Sequence, residues 1–220
     1  MSAVVDPQED DVESYIEFSS SKGMKILHVI DTHIQADHVS GGRTLAAKAG
    51  ASYYLHESCD PSFGRQPLKE GQLLECGNVV IRALHTPGHT PESICLLVTD
   101  KTRSQEPWFI LTGDSLFVGS VGRPDLPGQT EQNARELYRS LHQKILTLPD
   151  FVEIYPTHFS GSVCGKGMSG KASSTIAFEK RFNPLLSLSE DEFVATISKD
   201  VGPKPQHMMN IILRNQGRAG

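Results

Sequence analysis

Apolar positions follow two rhythms along the chain. The run MKILHVI at 24–30 and shorter runs near 52–55, 79–85, 93–98, 108–112 and 152–155 have strand length and end at turn-forming residues. Between them apolar residues recur at helical spacing near 40–49 and 130–146. AVV at 3–5 predicts another short strand. The DPQE that follows predicts Asp6 as N-cap, Pro7 at the first helical position and Glu9 closing a capping box. Val12, Tyr15, Ile16 and Ser19 would share one face of the ensuing helix, and Gly23 would end it. Beyond residue 174 the pattern is helical, near 174–182, 189–199 and 206–215. This alternation of strands and helices predicts an α/β domain.

The length of 220 residues and 38% hydrophobic content suit one domain, 1–220, with a C-terminal helical extension from about 174. The net charge of −5 is scattered, and no basic block could track a phosphate backbone, so nucleic acid is not an expected partner. There is no run of 18 apolar residues, and the start of the chain, DPQEDDVE, is acidic where a signal peptide is basic. The expectation is a soluble, cytoplasmic protein with no membrane attachment. Cys59, Cys76, Cys95 and Cys164 lie far apart without a Cys-x-x-Cys, which suits reduced thiols.

Four segments leave predicted strands and present His or Asp: DTHIQADH (31–38), HTPGHTPES (85–93), LTGDSLF (111–117) and YPTHF (155–159). Strand ends of this kind are where α/β folds gather their chemistry. A lone histidine is more often a hydrogen-bonded structural residue than a ligand, but four such segments in one order point to a metal site.

In that order the segments resemble the metallo-β-lactamase superfamily, with its T-H-x-H-x-D-H, Gly-His, Gly-Asp and final His. The resemblance implies an αβ/βα sandwich with metal at one rim of its two sheets. His33, His89 and Asp114 would hold a first metal, and Asp37, His38 and His158 would surround a second. Gln35 stands where the motif has its second histidine, and a neutral amide is a far weaker zinc ligand than imidazole. That leaves the two-histidine, one-carboxylate set of non-haem Fe(II) oxygenases; the alternative is that Gln35 marks an inactive site.

HTPGHTPESICLL, VGRPDL (121–126), ELYRSLHQKILTLPD and the stretch from YPTHF to FNPLL resemble the persulfide dioxygenase branch. The implied activity is oxidation of a small persulfide, typically glutathione persulfide, by O2 and water to sulfite and the free thiol. The implied cofactor is one Fe(II) per chain, with a separate rhodanese as possible sulfur donor. A zinc-dependent thioester hydrolase of the glyoxalase II kind and a non-catalytic homologue are the alternatives.

Within this reading Asp37 orients a ligand, and His38 and His158 either donate protons or hydrogen bonds near the metal or persist as remnants of a second site. Arg123 would fork onto a substrate carboxylate or pair with Asp125. Cys164 would carry sulfane sulfur, and Lys166 and Lys171 would attract an anionic substrate. His28 reads as structural, His56, His142 and His207 match no ligand motif, His85 would either pack or reach behind a ligand, and Met208 and Met209 read as the apolar face of the last helix. Relatives usually place two or three strands before the first motif and this chain only about one, so the N-terminal strands of the first sheet are expected to be shortened or missing. An edge left open in this way predicts a homodimer.

Overall fold

The run ICLLV at 94–98 buries both its faces, and that two-sided burial sets the architecture. In the computed structural model, which describes residues 1–159, 164, 167–199, 201 and 203–218, this run forms most of β7 (Ile94–Asp100). Ile94, Leu96 and Val98 point to one face and Cys95 and Leu97 to the other, as the two-residue period of a strand requires.

The first face of β7 packs against a parallel sheet in the order β1 (Ser2–Val5), β2 (Ile26–Ile30), β3 (Ser52–His56), β4 (Gln66–Leu68). Ile30, Tyr54 and Leu68 from that sheet meet Leu74, Ile81, Ala83, Ile94, Leu96 and Val98 in the central core. The second sheet runs β12 (Ser174–Thr175), β11 (Glu153–Pro156), β8 (Phe109–Gly113), β7, β6 (Val79–His85), β5 (Leu73–Cys76). Only its β8–β11 pair is parallel. A two-stranded ribbon, β9 (Leu116–Phe117) and β10 (Ser120–Val121), follows β8.

Helices cover the outer faces. On the first sheet, α1 (Val12–Ser21) and α2 (Gly42–Ala49) supply Val12, Leu45 and Ala46 to a cluster with Val29, Tyr53 and Leu55. On the second, α3 (Thr130–Ser140) continues into one wide turn, Leu141–Ile145. With α4 (Ile176–Phe182) and α5 (Glu190–Ile197) it buries Leu137, Leu141, Ile176 and Phe193 against Leu97, Ile110 and Ile154. The last helix, α6 (Met208–Asn215), returns to the first sheet, where Ile212 joins the Val12–Leu45 cluster. The C-terminal segment is therefore divided between both outer faces. Among the described residues no helix is long and apolar enough to cross a membrane.

The α/β domain is as the pattern predicts and the αβ/βα sandwich as the resemblance implies, with two differences from the predicted elements. The five strands absent from the sequence reading, β4, β5, β9, β10 and β12, have two to four residues each, too few to display an alternation. The capping box predicted at Asp6 is not formed: Asp6 has φ +48, and α1 begins only at Val12 after a tight turn, Glu9–Asp11. Residues 6–9 instead run beside residues 39–41, through Glu9 N to Val39 O and Gly41 N to Pro7 O. Among the described residues β1 borders only β2, so it forms one edge of the first sheet.

Candidate metal centre

β1 and β2 are parallel neighbours, so the chain leaving each arrives at the same rim, bringing Asp6 beside the loop 31–40. The Asp6 carboxylate accepts from Thr32 N at 2.8 Å and from the Thr32 hydroxyl at 2.9 Å. Because that hydroxyl spends its proton on Asp6, it must accept from His33 Nδ1, 3.0 Å away. The His33 lone pair is thereby left at Nε2. His89 is fixed in the same sense: its Nδ1 donates to the Arg123 carbonyl at 2.9 Å, and its Nε2 is buried without a hydrogen-bond partner.

Two glycines make this approach possible. A Cβ on Gly122 would lie 1.8 Å from the Asp114 carbonyl oxygen, so only glycine lets the 121–126 segment pass over Asp114 and bring the Arg123 carbonyl to His89. Gly88, at φ +142, lets the His89 loop lie against the backbone of Leu137 in α3.

His33, His89 and Asp114 converge, with one donor atom from each lying within 4.8 Å of the others, and all three are at most 3% exposed. His89 Nε2 is 3.5 Å from Asp114 Oδ2, and both carboxylate oxygens of Asp114 are buried without a hydrogen-bond donor. Burial holds the His33 imidazole down at about pKa 3, against the opposing charge of Asp114, so it is neutral at pH 7. Two imidazoles with Nε2 open beside an unsatisfied buried carboxylate fit a cation, which supplies the compensation the protein lacks.

A second group adjoins the first. Asp37 Oδ2 lies 3.1 Å from His158 Nε2 and 3.7 Å from Cys164 Sγ, while Asp37 Oδ1 meets His38 Nδ1 at 3.1 Å. His158 Nε2 also lies 3.6 Å from Asp114 Oδ2, linking the two groups. Burial opposes charge on both partners. The contacts with His158 and His38 nonetheless hold Asp37 well below the usual carboxylate range, and Asp37 and Asp114 raise His158 to about 9.

The structure thus brings together His33, Asp37, His38, His89, Asp114, His158 and Cys164. Of the two outcomes expected for Arg123, the structure shows the pair with Asp125: the guanidinium forks onto that buried carboxylate, with Nε to Oδ1 at 2.7 Å and the second nitrogen to Oδ2 at 2.9 Å, and also donates to Pro203 O. Lys166 lies outside the described residues; Lys171 is exposed. His85 stacks on His56 with centroids 3.9 Å apart, and His142 bonds the carbonyls of Tyr138 and Leu186.

The sequence reading missed the groups that hold the loop. Asp6 accepts from Gln35 Nε2 at 3.0 Å as well as from Thr32, and Glu92 accepts from Ile34 N at 3.0 Å. The available signal for Asp6 was topological: two parallel strands side by side are each followed directly by an aspartate, Asp6 and Asp31. A groove of about 1190 Å³ between α2 and the C-terminal segment shares Val39 and Ser40 with this loop but includes none of His33, His89 or Asp114.

Residues 4–158 match the metallo-beta-lactamase superfamily. The chain is 28% identical over 205 residues to persulfide dioxygenase ETHE1, mitochondrial, of Bos taurus, covering 93% of this chain and 74% of the relative. It superposes on a metallo-beta-lactamase from Staphylococcus aureus subsp. aureus COL with TM-score 0.91 and 35% identity, covering 99% of this chain but 66% of that one, just under two thirds of its length. On ETHE1 from Myxococcus xanthus the TM-score is 0.84 at 28% identity, with 98% and 88% coverage. With the motif segments at one rim of a two-sheet sandwich, the chain belongs to the metallo-β-lactamase superfamily.

Proposed function

We propose that the chain is a mononuclear Fe(II) persulfide dioxygenase acting on glutathione persulfide or a similar small persulfide. The carrying observation is the buried set His33, His89 and Asp114, a two-histidine, one-carboxylate group, beside a Gln35 whose amide nitrogen is engaged by Asp6. The names of the relatives support the same reading. In the overall reaction, RSSH + O2 + H2O gives RSH, sulfite and two protons; the outer sulfur loses the four electrons that O2 takes up.

An iron ion held by His33, His89 and Asp114 would supply open coordination positions where sulfur and O2 react side by side. The protein's own part is to orient and to manage protons. Thr32 and the Arg123 carbonyl keep both imidazoles in the tautomer that leaves Nε2 available. His158, charged through its contact with Asp37, holds a proton at Nε2 beside Asp114, and Asp37 keeps that proton on the ring until a more basic group takes it. Cys164, buried with its thiol toward Asp37, would take the outer sulfur of the incoming persulfide as its own persulfide, the S–S bond of RSSH breaking and RSH leaving.

One observation favours a second reading, a dinuclear zinc thioester hydrolase: Asp37, His158 and Cys164 also present donor atoms within 4.8 Å of one another. Metal analysis of protein purified without air, coupled to O2 uptake with glutathione persulfide, separates the two. One iron per chain, with uptake abolished in His89→Ala, is the expected result. Two zinc ions per chain and no uptake would replace it with hydrolysis.

A further inference from the structure

The C-terminal helix reaches the metal loop through one buried carboxamide. Asn215, the last residue of α6, donates from Nδ2 to Gln35 O and to His38 O, each at 3.0 Å, and accepts at Oδ1 from Ser40 N at 2.9 Å. These bonds use both amide hydrogens and the carbonyl oxygen, an inventory that among side chains only Asn and Gln possess. They also divide the loop with the other restraints. Asp6 and Glu92 hold Thr32, Ile34 and the Gln35 side chain, whereas Asn215 spans the backbone from Gln35 to Ser40, the part that carries Asp37 and His38. The helix is docked for this purpose by Met208 and Ile212, which pack with Ala36 and Leu126, and by an Arg214–Glu9 ion pair at 2.9 Å.

We propose that Asn215 is a positioning residue for the metal loop, so that docking of α6 and metal occupancy at His33, His89 and Asp114 are thermodynamically coupled. The proposal rests on the metal reading of that site but not on persulfide chemistry. Asp37 lies between the two carbonyls that the carboxamide grips, His38 carries the second, and His33 lies two residues before the first. Freeing the turn lets Asp37 leave His158 and slackens the backbone that presents His33. Coupling between two equilibria is reciprocal, so a metal that prefers the ordered loop must also favour the docked helix.

Hydrogen–deuterium exchange on the metal-free and the Fe(II)-loaded chain, with iron content measured on the same anaerobic samples, tests this directly. Iron should slow exchange in 35–40 and in 208–215 together, with α5 on the other sheet as the internal control. In Asn215→Asp, nearly isosteric but with both donors removed, the two segments should uncouple and the iron dissociation constant should rise about 10- to 100-fold, as for other residues that orient ligands. Asn215→Gln, which keeps the donor set, should recover part of that loss. Iron bound with α6 exchange unchanged in the natural chain would overturn the proposal, and this comparison needs no variant to fold. So would Asn215→Asp binding iron with undiminished affinity while only melting earlier. A chain that takes up no iron would instead sink the metal reading, and the proposal with it.

Discussion

Asp6 and Gln35 share a hydrogen bond, Nε2 to Oδ1 at 3.0 Å, although one leaves β1 and the other lies in the loop after β2. The same carboxylate takes the Thr32 amide and hydroxyl, so one side chain sets both the amide that stands at the motif's second-histidine position and the tautomer of His33. Burial and the neighbouring charge of Asp31 push Asp6 up to about 7, against the bonds from Thr32. The Thr157 hydroxyl is a fourth donor to Asp6, at 3.5 Å, so Asp6→Asn leaves one acceptor oxygen for four donors and turns an NH2 group toward some of them. Metal affinity, measured by chelator competition, should fall about 10- to 100-fold, the usual loss when the group behind a ligating histidine is altered. Unchanged affinity would mean that Thr32 orients His33 without help from Asp6.

Arg123 and Asp125 form a bidentate pair in which both side chains are at most 8% exposed. Removing one partner leaves the other buried and uncompensated, a change that costs about 3–5 kcal/mol. Arg123→Ala should lose that much in urea unfolding, and the double variant with Asp125→Ala should lose clearly less than the two single losses added together. Additive losses would show that the pair is not the reason for the guanidinium's position.

The metal half of the site was legible because its chemistry is carried by side chains at strand ends. His33, His89, Asp114 and His158 each follow an apolar run whose strand is long enough to recognise, and the sheets bring those ends to one rim. What holds the loop was not legible, for two physical reasons. Asp6 sits in a Ser/Asp-Pro-type context that matches helix capping equally well, and only the parallel pairing of β1 and β2 decides between the two uses. Glu92 and Asn215 act on backbone groups, which leave no mark in the sequence of the loop they restrain. Arg123 was read with both of its outcomes; the burial of Asp125 selects the ion pair.

His56 should make the fold sensitive to mild acid. Its ring stacks on His85 and its Nδ1 meets the Ser58 hydroxyl at 2.7 Å. Burial, then the charge of His85, hold it down at about 4; Lys144 adds to this, and Glu57 and Glu70 oppose it. The unfolded chain, with an ordinary histidine near 6.5, therefore binds more protons between about pH 4 and 6.5. Stability contributed by neutral His56 is present above 6.5 and is lost as pH falls through that window. His56→Phe keeps the stack and removes the titration. Its urea midpoint should change less between pH 7.5 and pH 5 than that of the natural chain, and an equal change in both would assign the acid sensitivity elsewhere.

Removing the metal should cost stability through the same unsatisfied groups that identify its site. Without a cation, both oxygens of Asp114 and Nε2 of His89 remain buried with no hydrogen-bond partner, and His158 is left as the nearest positive charge, 3.6 Å from Asp114. A ligand that binds only the folded chain stabilises it by about 2.7 kcal/mol at 100 times its dissociation constant. For a domain of this length each kcal/mol moves the midpoint by about 2–4 °C, so chelation should lower Tm by roughly 5–10 °C in calorimetry. His89→Ala, which deletes one ligand, should melt at nearly the same temperature with and without chelator. An equal chelator shift in that variant would place the stabilising metal away from His33, His89 and Asp114, whereas its disappearance ties the stability of the fold to the three groups the sheets bring together.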